Sequence, residues 1–430
     1  MELPLPKLEP RLQKRHEKMV KENLSPNQVI AAGMKALPGE GTSFASTQAA
    51  WRFYANPQTT LPVLGEPMLR CGKELLEKAC DRWGLVAHDW SNLRLGHQTS
   101  RTDMIPIGSD QGYALETALL LSDVNGASLS PLVQHLWSKD GCLTTCQEAV
   151  IEGLELRDAL STTMDFLAQQ GLSKRLCHIV DRGGDSAHHL REWDRAGHSF
   201  LVRGTEAHYL TWQGRSLPTG QIADLLSLRP AQAVEWEGGI TAQLLVGEAP
   251  VLLTRPSRRR GADGKERVEK GSSLPLRLIV CEVRLPDETV AARWCLLSNV
   301  PPEVAASTLV DWYYWRWRIE SYFKLLKSAG FQLEHWQQET ALAVAKRLCV
   351  VALACVVVWQ LQHAAGPVAE QTRAVLIRLS GRQVRRGHAT ASALLAGLWS
   401  LLAVLDALDH FTLDELKQVA SSIKFTTAYG

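Results

Sequence analysis

At 430 residues the chain is long enough for about three domains of roughly 150 residues each, and far beyond the size that needs disulfide staples to bury a core. With 45% apolar and 21% charged residues, it has neither a disordered, a collagenous nor a membrane composition. The formal charge of +2, from 47 Lys+Arg against 45 Asp+Glu, excludes polyanion binding by bulk charge and moves that question to local patches.

Three patches stand out. Residues 1–52 carry eight Lys/Arg against five Asp/Glu, residues 255–270 carry seven against three, and residues 373–386 hold five arginines (Arg373, Arg378, Arg382, Arg385, Arg386) and no acid. The nine cysteines are widely spread, and Cys142 and Cys146 lack the paired spacing of a zinc site, so they read as reduced thiols of a cytoplasmic protein. The N-terminus has no basic region followed by an apolar one, so no secretory signal is expected. The most apolar run, Leu348 to Leu361, is 14 residues, short for a bilayer span and expected as a core helix, with no membrane partner.

In chain order, residues 8–24 place Arg11, Lys14, Arg15 and Lys18 on one face of a helix. A second helix from Ser46 to Tyr54 stops at Asn56-Pro57, where proline forbids continuation. From residue 81, GLVAHDWSN, QGYALETALLLSDVNG and SLSPLVQHLW read as successive strands. Residues 146–171 have helical spacing ending at Gly171, and RLCHIVDRGGD follows as a buried strand. The class is a mixed α/β sheet. Residues 198–300 alternate apolar and polar residues as a β-rich insertion with SFLVRG, ITAQLLVG, APVLLTRP, PLRLIVCEVRL and ARWCLLSNV as strands. Helices return from Val304, with Leu/Ala-rich stretches at 340–363 and 391–409.

Asp89 and Asp181 each fall at or just past the end of an apolar strand, where open α/β sheets line their ligand crevice. Paired hard carboxylates suit Mg²⁺ and two-metal phosphoryl transfer. Strand-end aspartates also make turns, and Asp103, Asp110 and Asp185 are rivals. The segment Asp311 to Gly330, DWYYWRWRIESYFKLLKSAG, carries the most information. Read as one continuous helix, it sets Tyr313, Arg316, Glu320 and Lys327 within an arc of about 60°. A carboxylate on that face can be a third metal ligand, with Arg316 and Lys327 holding phosphates. A salt-bridged helix surface is the alternative.

The pattern Tyr-x2-Arg-x3-Glu-x6-Lys in YYWRWRIESYFKLLK resembles the signature of bacterial cut-and-paste Asp-Asp-Glu insertion-sequence transposases. The likeness extends to WRFYANPQT at 51–59, which holds Arg52 and resembles that family's DNA-binding module, and to HDWSN at 88–92 and IVDRGGD at 179–185 around its two aspartates. FLVRG at 200–204 and RWCLLSN at 293–299 resemble its β-insertion, so residues 8–365 are covered. Trp90 and Arg182-Gly183-Gly184-Asp185 depart from the family pattern without removing an acid.

The resemblance implies a ribonuclease-H-like catalytic core interrupted by a β-rich insertion, with an N-terminal helical DNA-binding domain and a helical C-terminal region. The implied boundaries are 1–70 for the DNA-end-binding domain, 71–365 for the catalytic domain with its insertion at 182–303, and 366–430 for the C-terminal region, the candidate for dimerisation. It further implies Asp89, Asp181 and Glu320 as the catalytic, metal-binding triad for two Mg²⁺ ions, with Mn²⁺ able to substitute. Tyr313, Arg316 and Lys327 would grip phosphates, Arg203 would contact DNA, and Trp294 would stack on a flipped base. Lys14, Arg15, Lys18 and Arg52 are the N-terminal DNA-binding candidates. The implied activity is excision and strand transfer at terminal inverted repeats of double-stranded DNA, through a hairpin, by a homodimer in the synaptic complex of a nucleoid-associated cytoplasmic protein. A non-cutting DNA-binding regulator, a domesticated remnant of a transposase, is the alternative.

Overall fold

The computed structural model describes residues 4–24, 43–96, 98, 100–236, 239–260, 266–382 and 389–422. Arg385 and Arg386 of the arginine cluster lie outside the described residues. The helices are α1 (Pro10–Asn23), α2 (Ser43–Ala55), α3 (Leu61–Ala79), α4 (Leu156–Ala168), α5 (Ala187–Arg195), α6 (Thr219–Leu225), α7 (Ala306–Trp315), α8 (Arg318–Leu326), α9 (Ala341–His363), α10 (Pro367–Leu379), α11 (Ala391–His410) and α12 (Leu413–Ser422). The strands are β1 (Trp83–Arg94), β2 (Ile105–Ile107), β3 (Asp110–Ser122), β4 (Ser128–Ser138), β5 (Gly141–Thr144), β6 (Arg175–Val180), β7 (Ser199–Arg203), β8 (Tyr209–Trp212), β9 (Arg215–Pro218), β10 (Arg229–Trp236), β11 (Ile240–Leu253), β12 (Ser257–Arg260), β13 (Glu266–Glu269), β14 (Leu274–Arg284) and β15 (Val290–Ser298).

The chain divides into two compact units, one of residues 1–67, 93–113 and 322–430, the other of residues 68–92 and 114–321. Most of the second unit is a large mixed sheet in the order β5-β4-β3-β1-β6-β7-β15-β14-β11-β8-β9, with β10 on β11. The β3–β4–β5 side is an antiparallel meander, whereas β1–β6 and β6–β7 are parallel pairs. Parallel neighbours need a crossover; α4 precedes β6, and α5 joins β6 to β7. From β15 to β9 the sheet is antiparallel again. The expected mixed α/β class is therefore what forms, with the β-rich insertion continuing the same sheet.

Two clusters bury the faces of this unit. Leu76 of α3 and Leu167 of α4 pack on Val86, Ala118 and Leu120. Trp193 of α5 and Ile222 of α6 pack with Phe200, Val202, Leu278 and Leu297. The start of β1 is fixed by Asp123, whose carboxylate accepts from the backbone N–H of Asp81, Arg82 and Trp83 at 2.7, 3.0 and 2.9 Å. In the same turn Gly126 has φ +67°, and a Cβ there would stand 2.3 Å from the Trp315 ring. Gly126→Ala therefore combines left-handed strain with overpacking and should cost about 2–3 kcal/mol in urea unfolding; a loss under about 0.5 kcal/mol would show that Trp315 yields freely.

In the other unit α1, α2, α10 and α11 pack against or beside α9. Buried Lys346 of α9 donates to the carbonyls of Tyr54 and Asn56 at 2.7 and 3.3 Å, satisfying the end of α2. Arg347 stacks 3.9 Å over the Trp336 ring. All nine cysteines are free thiols, and only Cys146 is not buried.

Several expectations are corrected. The helix placed at 146–171 begins only at Leu156, because residues 142 and 151 form a bridge and Gly153 turns the chain with φ +67°. ITAQLLVG and APVLLTRP are one strand of 14 residues, β11, paired along its length with β14. The apolar run Leu348 to Leu361 is the middle of a 23-residue helix, which by length and composition could cross a membrane; 83% of its most apolar window is buried, so burial rather than shortness marks it as a core helix. Helix α11 passes the same test of length and composition with 22% buried.

Candidate active site

Every pair in the parallel β1–β6 ladder, from Trp83↔Arg175 to Ala87↔Ile179, is offset by 92 residues. The same 92 residues separate Asp89 from Asp181. Asp181 follows the last residue of β6 with extended backbone, φ −72° and ψ −169°. Continuing the register sets the two aspartates opposite each other, on the face of Ala87 and Ile179, because side chains alternate along a strand. Both carboxyls are partly exposed. Asp181 also accepts from the Gly183 N–H at 2.8 Å, opening the short 3-10 turn Arg182–Gly184.

Glu320 joins them through Arg316. The guanidinium donates from Nη1 to Asp89 Oδ2 at 2.8 Å and faces Glu320 Oε1 with Nη2 at 3.7 Å. Its side chain is 6% exposed, against 17% for Asp89 and 45% for Glu320. Burial is the main cause that lifts the Asp89 carboxyl above its ordinary value, opposed by Arg316 and helped by the charge of Asp181. Glu320 is lifted too, first by burial, with Arg316 opposing and Asp89 reinforcing. Asp89 thus feels Asp181, Glu320 feels Asp89, and Asp89 and Glu320 share one cation.

The helix that was expected to carry this motif is broken. Helix α7 ends at Trp315, residues 316–317 form a turn, and α8 starts at Arg318 and ends at Leu326. The arc computed for one straight helix therefore does not describe the segment; Lys327 lies beyond α8. Trp315 at Gly126 and the pull of Asp89 on Arg316 occupy the two sides of the break. Tyr313 is buried, its ring 5.8 Å from the Arg316 guanidinium carbon and 6.3 Å from the Trp294 ring. Trp294 is half-buried on β15 opposite Cys281, and Arg203 ends β7 opposite Leu296. In the other unit Lys327 Nζ lies 3.4 Å from Glu334.

The rival aspartates have other partners. Asp103 accepts from the Tyr113 hydroxyl and from the Ala341 N–H at the start of α9. Asp110 accepts from the next backbone N–H, that of Gln111. Asp185 is buried and bonded to Arg255, His208 and the Thr205 N–H. On α1, Arg11, Lys14 and Lys18 are exposed and Arg15 half-buried, opposite buried His16, Met19 and Val20; Lys18 lies 3.8 Å from Glu22. Arg52 and its neighbour Trp51 are exposed on α2. Sequence reading passed over His88, Glu116, His135 and His178, although a charged or imidazole side chain inside an all-apolar strand is itself a signal.

Asp181 stands just past β6 as expected, whereas Asp89 is inside β1, which runs on to Arg94; hard carboxylate oxygens on such neighbouring strands are the donor chemistry of a divalent cation such as Mg²⁺. Among the described residues, however, no group of three or more His, Cys, Asp or Glu is arranged to hold a metal ion. Arg316 stands between Asp89 and Glu320.

Residues 158–357 match the profile of the family described as the transposase DDE domain. The match takes in Asp181 and Glu320, begins after Asp89, and supports a DDE transposase. No curated protein matches the chain. Among solved structures, the chain is similar to a piggyBac transposase synaptic complex with hairpin DNA, at 8% identity over 96% of this chain and 76% of that one, with a TM-score of 0.36. A likeness that loose transfers no residue role.

Proposed function

We propose, from that premise, that this chain is a metal-dependent DNA transposase that binds terminal inverted repeats and cuts and rejoins DNA by phosphoryl transfer. The observation that carries the reading is Arg316, bonded to Asp89 inside β1 and facing Glu320, with Asp181 just past the end of the neighbouring parallel strand β6. The order β4-β3-β1-β6-β7, antiparallel and then parallel, supports a ribonuclease-H-like core. For Asp89, Asp181 and Glu320 to hold divalent ions, which would supply Lewis-acid stabilisation of an in-line displacement at phosphorus, Arg316 would have to give up Asp89. Arg316 and Tyr313 orient the phosphate beside the acids. Trp294, half-buried beside Tyr313, offers a face for a base leaving the stack, and the cut-and-paste hairpin route rests on it. The exposed apolar residues Val404, Leu405 and Leu408 of α11 support dimerisation through the C-terminal region. Double-stranded DNA is the partner, and a bacterial, nucleoid-associated cytoplasmic setting goes with it.

The test is a duplex bearing the inverted repeats that bound the encoding DNA, incubated with the purified protein and Mg²⁺. Nicks at the repeat ends, lost on chelation, are expected. Binding without cutting would return the non-cutting regulator as the better reading. The N-terminal stripe has its own test. Each phosphate neutralised contributes about 0.9 to the slope of log K against log salt, so replacing Lys14, Arg15 and Lys18 by Ala should flatten the slope by roughly 2 to 3. An unchanged slope makes the stripe a solvated face.

A further inference from the structure

Behind the acidic face of the sheet runs a row of polar side chains with no solvent access. His88, Glu116 and His135 are 0% exposed and His178 is 2% exposed. They sit on β1, β3, β4 and β6, four neighbours in the sheet order. Glu116 and His135 face each other directly in the β3–β4 ladder. His88 Nδ1 donates to Glu116 Oε1 at 3.0 Å, and His88 Nε2 lies 2.9 Å from His178 Nδ1. Glu116 Oε2 faces His135 Nε2 at 3.6 Å, and that same nitrogen lies 2.7 Å from the Thr163 hydroxyl of α4.

Burial holds His178 well below its ordinary pKa, so its ring is neutral and carries one proton. His88 holds Glu116 with one ring nitrogen and His178 with the other, and each of these bonds needs one donor and one acceptor. One run of hydrogen bonds thus ties β3 to β1 and β1 to β6. The bonds that are made rigidify what they join, while Glu116 Oε2 stays buried without a hydrogen bond.

What it joins is the last paired stretch of β1 and β6. In the register, Val86 is opposite His178 and Ala87 is opposite Ile179. His88 and His178 therefore point to the reverse face, while the next residue after His88 is Asp89, and Asp181 follows His178 by three. Backbone pairing between the two strands ends at Ala87 and Ile179, so the His88–His178 bond is a side-chain tie at the point where the ladder stops holding them.

We propose that the buried string His178–His88–Glu116–His135 positions the two aspartates, holding the middle of β1 and the end of β6 at one spacing from behind. This rests on the function proposed above. These are positioning residues, since none of them reaches the acids' face. Ligand-orienting groups behind a metal site typically change its affinity by about 10- to 100-fold when removed.

The experiment measures Mn²⁺ binding to the full chain by titration calorimetry, DNA-end affinity, and the single-turnover cleavage rate. Glu116→Leu is expected to weaken Mn²⁺ binding and slow cleavage by about tenfold or more, with DNA affinity unchanged. Glu116→Gln, which keeps the shape and an acceptor for His88, should restore most of both. His178→Asn supplies the same comparison from the other end of the string should Glu116→Leu fail to fold. Wild-type Mn²⁺ affinity and rate in a folded Glu116→Leu or His178→Asn protein overturn the proposal, as does a parallel loss of DNA affinity and thermal stability not rescued by Gln. A wild-type protein that binds no Mn²⁺ and cuts no repeat end overturns the proposed function itself.

Discussion

Asp181→Asn should abolish cleavage of repeat ends, lowering the rate by at least about a thousandfold, or roughly 4 kcal/mol of transition-state stabilisation, while leaving DNA affinity nearly intact. Asn keeps the shape and the acceptor for the Gly183 N–H, so the 3-10 turn at residues 182–184 survives. What is lost is the negative charge that a divalent cation needs. Asp89→Asn and Glu320→Gln should behave alike, with one difference: Asp89→Asn also removes the anionic partner of Arg316. Near wild-type cleavage in Mg²⁺ by any of the three would strike that residue from the site.

The second large effect belongs to Arg316. Its guanidinium serves Asp89 and Glu320 together at 2.8 and 3.7 Å, which Lys cannot do with a single ammonium on a different stem. Arg316→Lys should slow end cleavage by at least about tenfold, or 1.4 kcal/mol, although charge is kept. Arg316→Ala leaves Asp89 partly buried without its cation, and losing one member of such a pair costs about 3 kcal/mol. The pH dependence has a definite sign. Asp89 already titrates above its ordinary value, and removing Arg316 removes a cause that lowers it. Between the ordinary and the raised value the folded state then holds more protons than the unfolded chain, so stability falls as pH rises through that window. The deficit of Arg316→Ala in urea melts should be small near about pH 4 and complete at neutral pH. A deficit that does not vary with pH would mean that Arg316 acts through packing alone.

Strands were legible because their apolar runs are bounded by turn residues; Asp181 stood at such a boundary, whereas β1 runs past Asp89 through the polar residues Ser91, Asn92 and Arg94. The interval of 92 residues between the two aspartates was also visible, but its meaning was not. Only the pairing of β1 with β6 turns it into a register offset that sets the two acids side by side. The break at Arg316 and Trp317 could not be read from YYWRWRIES, whose spacing suits a continuous helix. It depends on Asp89, 227 residues away in the chain, and on a glycine turn that receives Trp315. Helix α5, AHHLREWDR, was missed since its apolar positions are few and its core contacts come from Ala187, Leu190 and Trp193. Helix α3 was missed because Pro67 stands inside it.

The central strands of the sheet are drawn from distant parts of the chain, with β6 laid against β1 and β15 against β7. During synthesis, at about 5–20 residues per second, roughly 10–50 s pass between the emergence of Asp89 and that of Glu320 from the ribosome. Over that interval β1 has first no β6, and β7 then has no β15, so the nascent protein displays unpaired strand edges and an incomplete set of acids. A protein whose proposed chemistry cuts DNA would thus remain harmless to the nucleic acid around it until Glu320 has been translated.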